Sequence, residues 1–476
     1  MNYSVSNISA FFLFLTSLFV LIFTNHDLEY IFFDTKLYIF FSYALCAIVI
    51  INYIFRIKSF RYIPILPLSC FYFISCYVSA AFFEFNHFKV HHLVNITDIP
   101  FAIYVLTLGI CSLISGYYVL KLIFKNFERK EIKLLNFSLT EIFYFGLTIN
   151  LTTIIFFYIF QIQNYLVFIA QIKYVFLFFG FGIFTNYFFH TNTLYDKKNF
   201  IIISVKILLI CMEIIKGSYA LPFILIFLDY VYYSYLKKKF NLIPIIVFFV
   251  AFFFIHEGKY QFRFLTWDKL GYKRDQNALE SSKIFLKLYK YNLKNFSIKK
   301  LFKEDNPTYK RIYHSFESLV IVTSKSPTEI DFWDGYSYKI FASKFIPRVF
   351  WKEKPNDNLG NEFAHRYKII NAADKHTSWN MPVLNEFYVN FGTRGVIIGM
   401  FLIGFLFSFL AKFFSIKNTK NIEGIIAFYF FIPLFYLESH LSLLTGAVLQ
   451  SYLLSIFISI FFIIMFRKLK LNLYLK

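Results

Sequence analysis

Cysteine is scarce in this sequence and is confined to apolar runs. The longest polar segment, 258–394, contains none, and the five that occur all lie in hydrophobic stretches: Cys46, Cys70, Cys76, Cys111 and Cys211. No disulfide framework and no cysteine metal site is therefore predicted. The first apolar run, 8–24, lacks a basic flank before it and a small-residue cleavage site after it. We interpret this run as a retained helix and not as a signal peptide.

Apolar residues, in contrast, are in excess. The chain is 58% hydrophobic, with a mean hydropathy of +0.57, 70 Phe and 36 Tyr, whereas a soluble domain is about 45–50% apolar. Stretches near 20 residues recur, each long enough to cross a ~30 Å hydrocarbon core. They predict an all-α polytopic membrane protein with twelve helices: 8–24, 37–55, 62–83, 99–120, 139–160, 164–190, 200–215, 217–236, 241–257, 395–414, 422–437 and 446–466.

The distribution of Lys and Arg predicts the orientation of these helices. With the N-terminus inside, the inner short loops and the tail carry 20 basic residues and the outer short loops carry three. By the positive-inside rule, both termini are cytoplasmic, and 258–394 lies outside between nine helices (1–257) and three helices with a basic tail (395–476). The net charge of +21 therefore favours membrane lipids and anionic substrates as partners, and not nucleic acid.

One stretch of the outer segment has helical periodicity. In 278–302 an apolar stripe lies beside a lysine stripe formed by Lys283, Lys287, Lys290 and Lys294. This pattern is typical of a helix at the membrane interface, and equally of a solvated helix packed on the rest of the segment.

Ionisable residues inside the predicted spans are few, and they are expected to pair because an isolated charge in lipid is costly. Lys206 and Asp229 lie at similar depths in adjacent helices, as do Lys173 and Glu213, so two structural ion pairs are predicted. Glu438 and His440 follow the eleventh helix and border the outer segment, where they are candidates to line a site. The outer-loop histidines have a metal-like spacing without a bracketed carboxylate, which favours an interfacial loop over a metal site: His87, His91 and His92.

The sequence FIPRVFWKEKPND, in the second half of the outer segment, clusters cations with aromatic residues. Arg348, Lys352 and Lys354 stand beside Phe350 and Trp351. Such a cluster at a membrane surface suits a phosphate or pyrophosphate. A basic loop that touches anionic lipid is the competing interpretation.

Three motifs in order, FIPRVFWKEKP, LGNEF and LNEFYVNFGTRGVIIGMFLIG, resemble the outer loop of the Wzy-like polymerases of O-antigen and exopolysaccharide repeat units. KGSYALPFILIFLDYVYYSYLKKK and HEGKYQFR are weaker similarities, and together the resemblance covers about half of the chain. Tyr219 stands where an Arg is common in the family, so that charge is absent or is supplied by Lys216.

The resemblance implies a metal-independent, inverting glycosyltransferase of GT-C-like fold without a cofactor. It would transfer a glycan from undecaprenyl pyrophosphate to another lipid-linked repeat unit, on the outer face of the bacterial inner membrane. A chain-length regulator protein is a candidate partner. The reaction needs cations for the leaving pyrophosphate and a base for the attacking sugar hydroxyl.

The candidate site residues follow from these two needs. Glu386 and His376 are the candidate bases, and a partly desolvated Glu386 would have a raised pKa. The alternative for Glu386 is an acidic residue favoured at a helix N-terminus and by Arg394. Gly392 and Gly395 are expected at turn and helix-packing positions. The remaining candidates bind pyrophosphate (Arg348 first, then Lys352, Lys354, Arg263 and Arg311) or contact glycan (Trp351 and Trp379).

Two other functions stay open at this point. An O-antigen ligase would use the same lipid-linked donor and would also have a large outer loop and Arg-rich chemistry. A non-enzymatic flippase or transporter of the lipid-linked unit is less favoured, because such a protein should carry charges along a central cavity, and here the basic residues collect in one outer segment.

Overall fold

The structure is a computed structural model of the full chain. It describes the following residues: 35–57, 62–81, 96–124, 133–162, 167–191, 196–215, 220–266, 278–294, 307–343, 351, 353, 358–375, 377–414, 420–446 and 448–474. Within these ranges the chain is helical and forms no strand.

The helices of the first 257 residues match the predicted spans. The predicted run 8–24 lies outside the described residues, and each later span coincides with a helix. The helices are α1 (Thr35–Phe55), α2 (Ile65–Phe73, continued by a π-helical turn Ile74–Val78), α3 (Ile99–Ile123), α4 (Leu139–Thr152, continued by Thr153–Ile159), α5 (Val167–Thr191), α6 (Lys197–Ile215), α7 (Ala220–Lys237) and α8 (Leu242–Glu257).

The outer segment and the last part of the chain are also helical. Five helices belong to the outer segment and its boundary with the membrane, and four follow. They are α9 (Lys259–Thr266), α10 (Ala278–Lys294), α11 (Pro307–Lys325), α12 (Tyr336–Ser343), α13 (Leu359–Arg366), α14 (Val383–Phe413), α15 (Ile422–Phe431), α16 (Leu441–Thr445) and α17 (Val448–Tyr474).

Six of the described helical stretches are long and apolar enough to cross a membrane. They are Thr35–Phe55, Ile99–Ile123, Leu139–Ile159, Ile172–Thr191, Val383–Phe413 and Leu441–Lys468; Ile65–Ala81, Ile243–Phe252 and Ile422–Phe435 are apolar but shorter. Helices α6 and α7 occupy predicted spans but are not among these six candidates. The reason is polar content, because α6 contains Lys206 and Glu213 besides its first lysines, and α7 contains Asp229 and several tyrosines.

Ion pairs join α5, α6 and α7, as predicted. The Lys206 ammonium lies 2.5 Å from the Asp229 carboxylate, and the Thr185 hydroxyl donates to the same carboxylate at 2.8 Å. Lys173 pairs with Glu213. Each charge has an opposite charge within reach, which is how ionised side chains are tolerated in an apolar helix bundle.

Helix α14 begins earlier than predicted. The tenth span was expected near residue 395, whereas α14 starts at Val383 and is interrupted at Phe391 and Gly392, where Gly392 has φ +61 and ψ −151. Only a residue without Cβ adopts this backbone readily. The break frees backbone carbonyls, and two N–H groups satisfy them: Trp333 donates to Val389 at 2.9 Å and Asp334 to Asn390 at 3.3 Å. The end of the outer segment is therefore a helix capped by a distant turn.

Helices α3 and α14 pack with almost no space between their backbones. A Cβ added at Gly404 would lie 1.9 Å from the Leu113 carbonyl oxygen, and one added at Gly116 would lie 2.0 Å from that of Phe401. Small residues at such crossings allow helices in a membrane to approach closely. This contact makes α3 the main support of α14.

Loops and a tail that are predicted to lie on the same side of the membrane meet at one end of the bundle. The Phe137 N–H donates to the Lys420 carbonyl at 3.1 Å, and Arg467 lies 3.6 Å from the Glu141 carboxylate. Phe137, Lys420 and Arg467 belong to two loops and a tail that the charge distribution assigns to one side, and Glu141 lies in the first turn of α4. Their contacts agree with that common assignment.

The lysine-striped helix of the outer segment is α10. Its Phe285 ring packs 5.9 Å from Phe262 of α9, and the Tyr289 hydroxyl donates to the Ile255 carbonyl at 2.5 Å. Lys283, Lys287 and the other two lysines of the stripe are exposed. The apolar stripe thus packs on the protein, while the lysines are available to a membrane surface or to solvent.

Candidate functional site

Glu386 lies in the first turn of α14 and is fully buried, with 0% of its surface exposed. Its carboxylate oxygen Oε2 accepts a hydrogen bond from the Leu441 backbone N–H at 2.7 Å. A second bond joins the same two segments, from the Val383 N–H to the Leu437 carbonyl at 3.0 Å. The first turn of α14, which carries the candidate base, is therefore fixed against the chain that leads into α16.

Glu438 and His440 lie in that same connecting chain, and both are buried, at 3% and 6% exposure. The contacts of Leu437 and Leu441 on either side of them hold this chain against the first turn of α14. The sequence-based prediction that these two residues border the outer segment agrees with this arrangement.

Two asparagines on either side of Glu386 fix the orientation of this turn. The Asn385 carbonyl oxygen Oδ1 accepts from the Tyr77 hydroxyl at 3.1 Å, and its amide donates to the Ser315 backbone carbonyl at 3.3 Å. The Asn390 amide donates to Ser337 Oγ at 2.9 Å. Sequence reasoning did not single out Asn385 and Asn390, although two asparagines close to a glutamate in the otherwise apolar sequence LNEFYVN are a usable signal.

Tyr338 of α12 faces the same region. Burial and the negative charge of Glu386 raise the pKa of its phenol well above the ordinary value, so the hydroxyl keeps its proton at neutral pH. Within the described part of the chain, this buried hydroxyl has no hydrogen-bond partner. The site thus contains a carboxylate, which can accept a proton, and a neutral O–H, which can donate a hydrogen bond.

The motif LGNEF forms α13, which holds the chain on either side of residue 376. The Asn361 amide donates to the Thr377 carbonyl at 2.7 Å, and the His365 ring nitrogen Nε2 lies 2.8 Å from the Asp374 carbonyl oxygen. The backbone N–H of Trp379 donates to the Gly360 carbonyl at 3.2 Å. The LGNEF motif therefore has a structural role, because it anchors the chain at Asp374, Thr377 and Trp379.

Trp379, a predicted glycan-contacting residue, is half-buried. Its ring lies 4.3 Å from the ring of His314 between centroids, and its indole N–H is buried without a hydrogen-bond partner among the described residues. Trp351, the other predicted aromatic contact, is 39% exposed. Both side chains are therefore partly accessible to solvent.

The predicted cations are only partly located. Arg311 lies on α11, but its side chain is not among the described ones. The cations Arg348, Lys352 and Lys354 lie outside the described residues, as does the candidate base His376. Arg263 lies on α9, which packs against α8 and α10. Glu386 contacts other elements, so the described contacts do not bring Arg263 to it.

The geometry thus defines a buried acidic site at the start of α14, formed by Glu386, Tyr338 and the chain that carries Glu438 and His440. It joins two segments that are far apart in sequence and that both border a predicted membrane surface. No protein-family model, no curated protein and no solved structure matches this chain.

Proposed function

We propose that this protein is a polysaccharide polymerase that joins undecaprenyl-pyrophosphate-linked oligosaccharide repeat units on the outer face of the bacterial inner membrane. The observation that carries the proposal is the buried carboxylate of Glu386 in the first turn of α14. It lies within a motif that resembles the family, at the start of a candidate membrane-spanning helix. The product would be an O-antigen, a capsule or an exopolysaccharide.

The proposal includes a GT-C-like arrangement of twelve spans with both termini in the cytoplasm. Six candidate spans and three shorter apolar helices support it, as does the meeting of Phe137, Lys420 and Arg467 at one end of the bundle. Glu386, Leu441 and the turn at Trp333 would then all lie on the outer side, where a lipid-linked glycan is elongated. A chain-length regulator is the proposed protein partner.

In the proposed reaction, Glu386 is the general base. Its carboxylate takes the proton from a hydroxyl at the non-reducing end of the acceptor glycan, and that oxygen attacks the anomeric carbon of the donor. The bond between this carbon and the pyrophosphate oxygen breaks, and the lipid pyrophosphate leaves. The phenol of Tyr338, held protonated beside Glu386, would donate a hydrogen bond to substrate.

The leaving pyrophosphate needs positive charge, because one further negative charge develops on its departing oxygen as the bond to the anomeric carbon breaks. Arg348 is the first choice, followed by Lys352 and Lys354 in the same motif. Arg311 is placed on a helix of the outer segment and is retained, whereas the packing of α9 makes Arg263 a weaker choice. Trp351 and Trp379 are proposed to contact sugar rings, and no metal is needed in the reaction.

Glu386→Gln tests the role of the base, because glutamine keeps an oxygen that can accept from the Leu441 N–H but does not take a proton. We expect membrane insertion and thermal stability to stay normal, and polymer longer than one repeat to be lost. The matched control is Glu329→Gln, an exposed carboxylate of the same segment, which should polymerise normally. Normal polymer in Glu386→Gln would contradict the assignment and leave Glu386 a structural role.

A deletion strain distinguishes the enzyme classes. Core lipid capped with a single repeat indicates a polymerase, whereas naked core indicates a ligase. Purified protein in liposomes with labelled lipid-linked repeat units distinguishes a polymerase from a flippase. Chain elongation supports the proposal, and label that crosses the bilayer without elongation would identify a flippase instead.

A further inference from the structure

A cavity of about 240 Å³ lies between α1, α2 and α3, at the end of the bundle where α1 and α3 finish and α2 begins. This volume is several times the ~30 Å³ that one molecule occupies in liquid water, so the cavity accommodates a group of several heavy atoms. It is distant in sequence from the outer segment, and the proposed glycan transfer does not use it.

The walls of this cavity are positively charged. Arg56 follows the last turn of α1 and Lys121 lies in the last turn of α3, and both line the cavity. Lys412, outside the lining, is near enough to Lys121 to interact with it electrostatically. Of the described lining residues, none is acidic. An anion bound in the cavity would be attracted to both Arg56 and Lys121.

Polar and aromatic side chains complete the walls. The Lys121 ammonium lies 5.6 Å from the ring centroid of Tyr118 and 5.9 Å from that of Tyr62, and the Asn52 side chain lines the same cavity. The dipoles at the C-terminal ends of α1 and α3 favour cations there. The helix dipoles therefore explain why Arg56 and Lys121 stand at these helix ends. They do not explain why amide and hydroxyl groups line a cavity between them.

We propose that this cavity binds a phosphate group, and that the phosphate belongs to the head group of an anionic phospholipid. Arg and Lys are the side chains that hold phosphate oxygens, and basic cavities between helix ends on the cytoplasmic side are where such head groups bind. Exposed apolar residues close to Arg56 and Lys121 in the chain favour a lipid over free phosphate, since Phe55 is 83% and Ile123 64% exposed. These side chains are where acyl chains would pack.

The test uses the purified full chain in a non-ionic detergent, with the thermal unfolding midpoint as the measure of binding. The probes are phosphatidylglycerol, phosphatidylcholine and inorganic phosphate. Phosphatidylglycerol should raise the midpoint and phosphatidylcholine should not. Lys121→Gln should weaken the affinity for phosphatidylglycerol about tenfold, the loss expected for a charge-assisted hydrogen bond.

The control is Lys133→Gln, an exposed lysine outside the cavity on the same predicted side, which should bind like the wild type. Equal affinity in the wild type and Lys121→Gln would overturn the proposal. If inorganic phosphate alone raises the midpoint as much as phosphatidylglycerol does, the lipid part of the proposal is wrong. If Lys121→Gln does not fold, Arg56→Gln decides by the same criterion, since Arg56 is in an exposed turn.

Discussion

The backbone N–H of Leu441 donates to the Glu386 carboxylate at 2.7 Å, so the start of one candidate span is joined to the chain that begins the last one. This bond predicts the effect of Glu386→Ala. Alanine leaves a buried N–H without that acceptor, and we expect the free energy of unfolding to fall by about 1–3 kcal/mol. Thermal unfolding of the purified protein measures this loss. Glu386→Gln, which retains an acceptor oxygen, should lose much less, and equal losses in the two variants would contradict the assigned bond.

Arg348→Ala is expected to abolish polymer beyond one repeat while membrane insertion stays normal, because the leaving pyrophosphate loses its first cation. The measurement is the length distribution of the product on a gel. Lys339→Ala, which removes an exposed cation from the same outer segment, serves as the control and should give normal polymer. Unchanged chain length in Arg348→Ala would remove the pyrophosphate role from this residue.

Asp229→Asn is expected to destabilise the helix bundle by about 3–5 kcal/mol, because it leaves the partly buried Lys206 ammonium without its opposite charge. The double variant Lys206→Met with Asp229→Leu removes both charges and should be close to the wild type in stability. Unfolding in detergent micelles compares the three proteins. An Asp229→Asn variant as stable as the wild type would show that the pair does not contribute to stability.

Gly392→Ala should lower stability by about 1–3 kcal/mol from backbone strain alone, because residue 392 has φ +61. The added Cβ would also lie 2.9 Å from the Phe332 ring. Thr393→Ala, which introduces alanine at the next position along α14, should have a small effect on stability. Comparable stability of the two variants would argue against a break in α14 at this position.

The stability of the outer segment should depend on pH through Tyr338. Its pKa is raised in the folded protein by burial and by Glu386, so folding favours the protonated phenol. This contribution is complete below the ordinary tyrosine pKa of about 10 and is lost as pH rises above it, by about 1.4 kcal/mol per pH unit.

Tyr338→Phe should therefore lose less stability than the wild type between neutral pH and pH values above about 10. Unfolding midpoints measured across this range provide the comparison. Tyr291→Phe, which changes a tyrosine that is 65% exposed on α10, is the control and should follow the wild type. Parallel curves for the wild type and Tyr338→Phe would mean that this phenol does not contribute.

The sequence was sufficient to predict the ion pairs between neighbouring helices. Lys206 and Asp229 were expected to pair because a charge in an apolar helix needs a partner, and the adjacent helix offered one at a similar depth. The hydrophobic runs were likewise enough to locate the helices, because a length near 20 residues is fixed by the thickness of the bilayer.

The candidate site was less predictable because its contacts are between residues far apart in sequence. The early start of α14 depends on the turn at Gly335, whose N–H donates to Asn390 across a separation of 55 residues. Asn385 meets Tyr77 across 308 residues, and no local pattern records this. Charge alone also grouped Arg263 with the other cations, although α9 packs elsewhere.

The close contact of Gly116 and Gly404 limits how the outer end of α14 can move. Translation of α14 along α3 would force side chains against the carbonyls of Leu113 and Phe401, so a shear motion between these helices is excluded sterically. Rotation about the interruption at Gly392 leaves this contact intact, and the segments bonded to the short outer part of the helix, at Leu441 and Trp333, would have to move with it. Any displacement of Glu386 during function would therefore be a hinge motion at Gly392, with the membrane part of α14 as the fixed body.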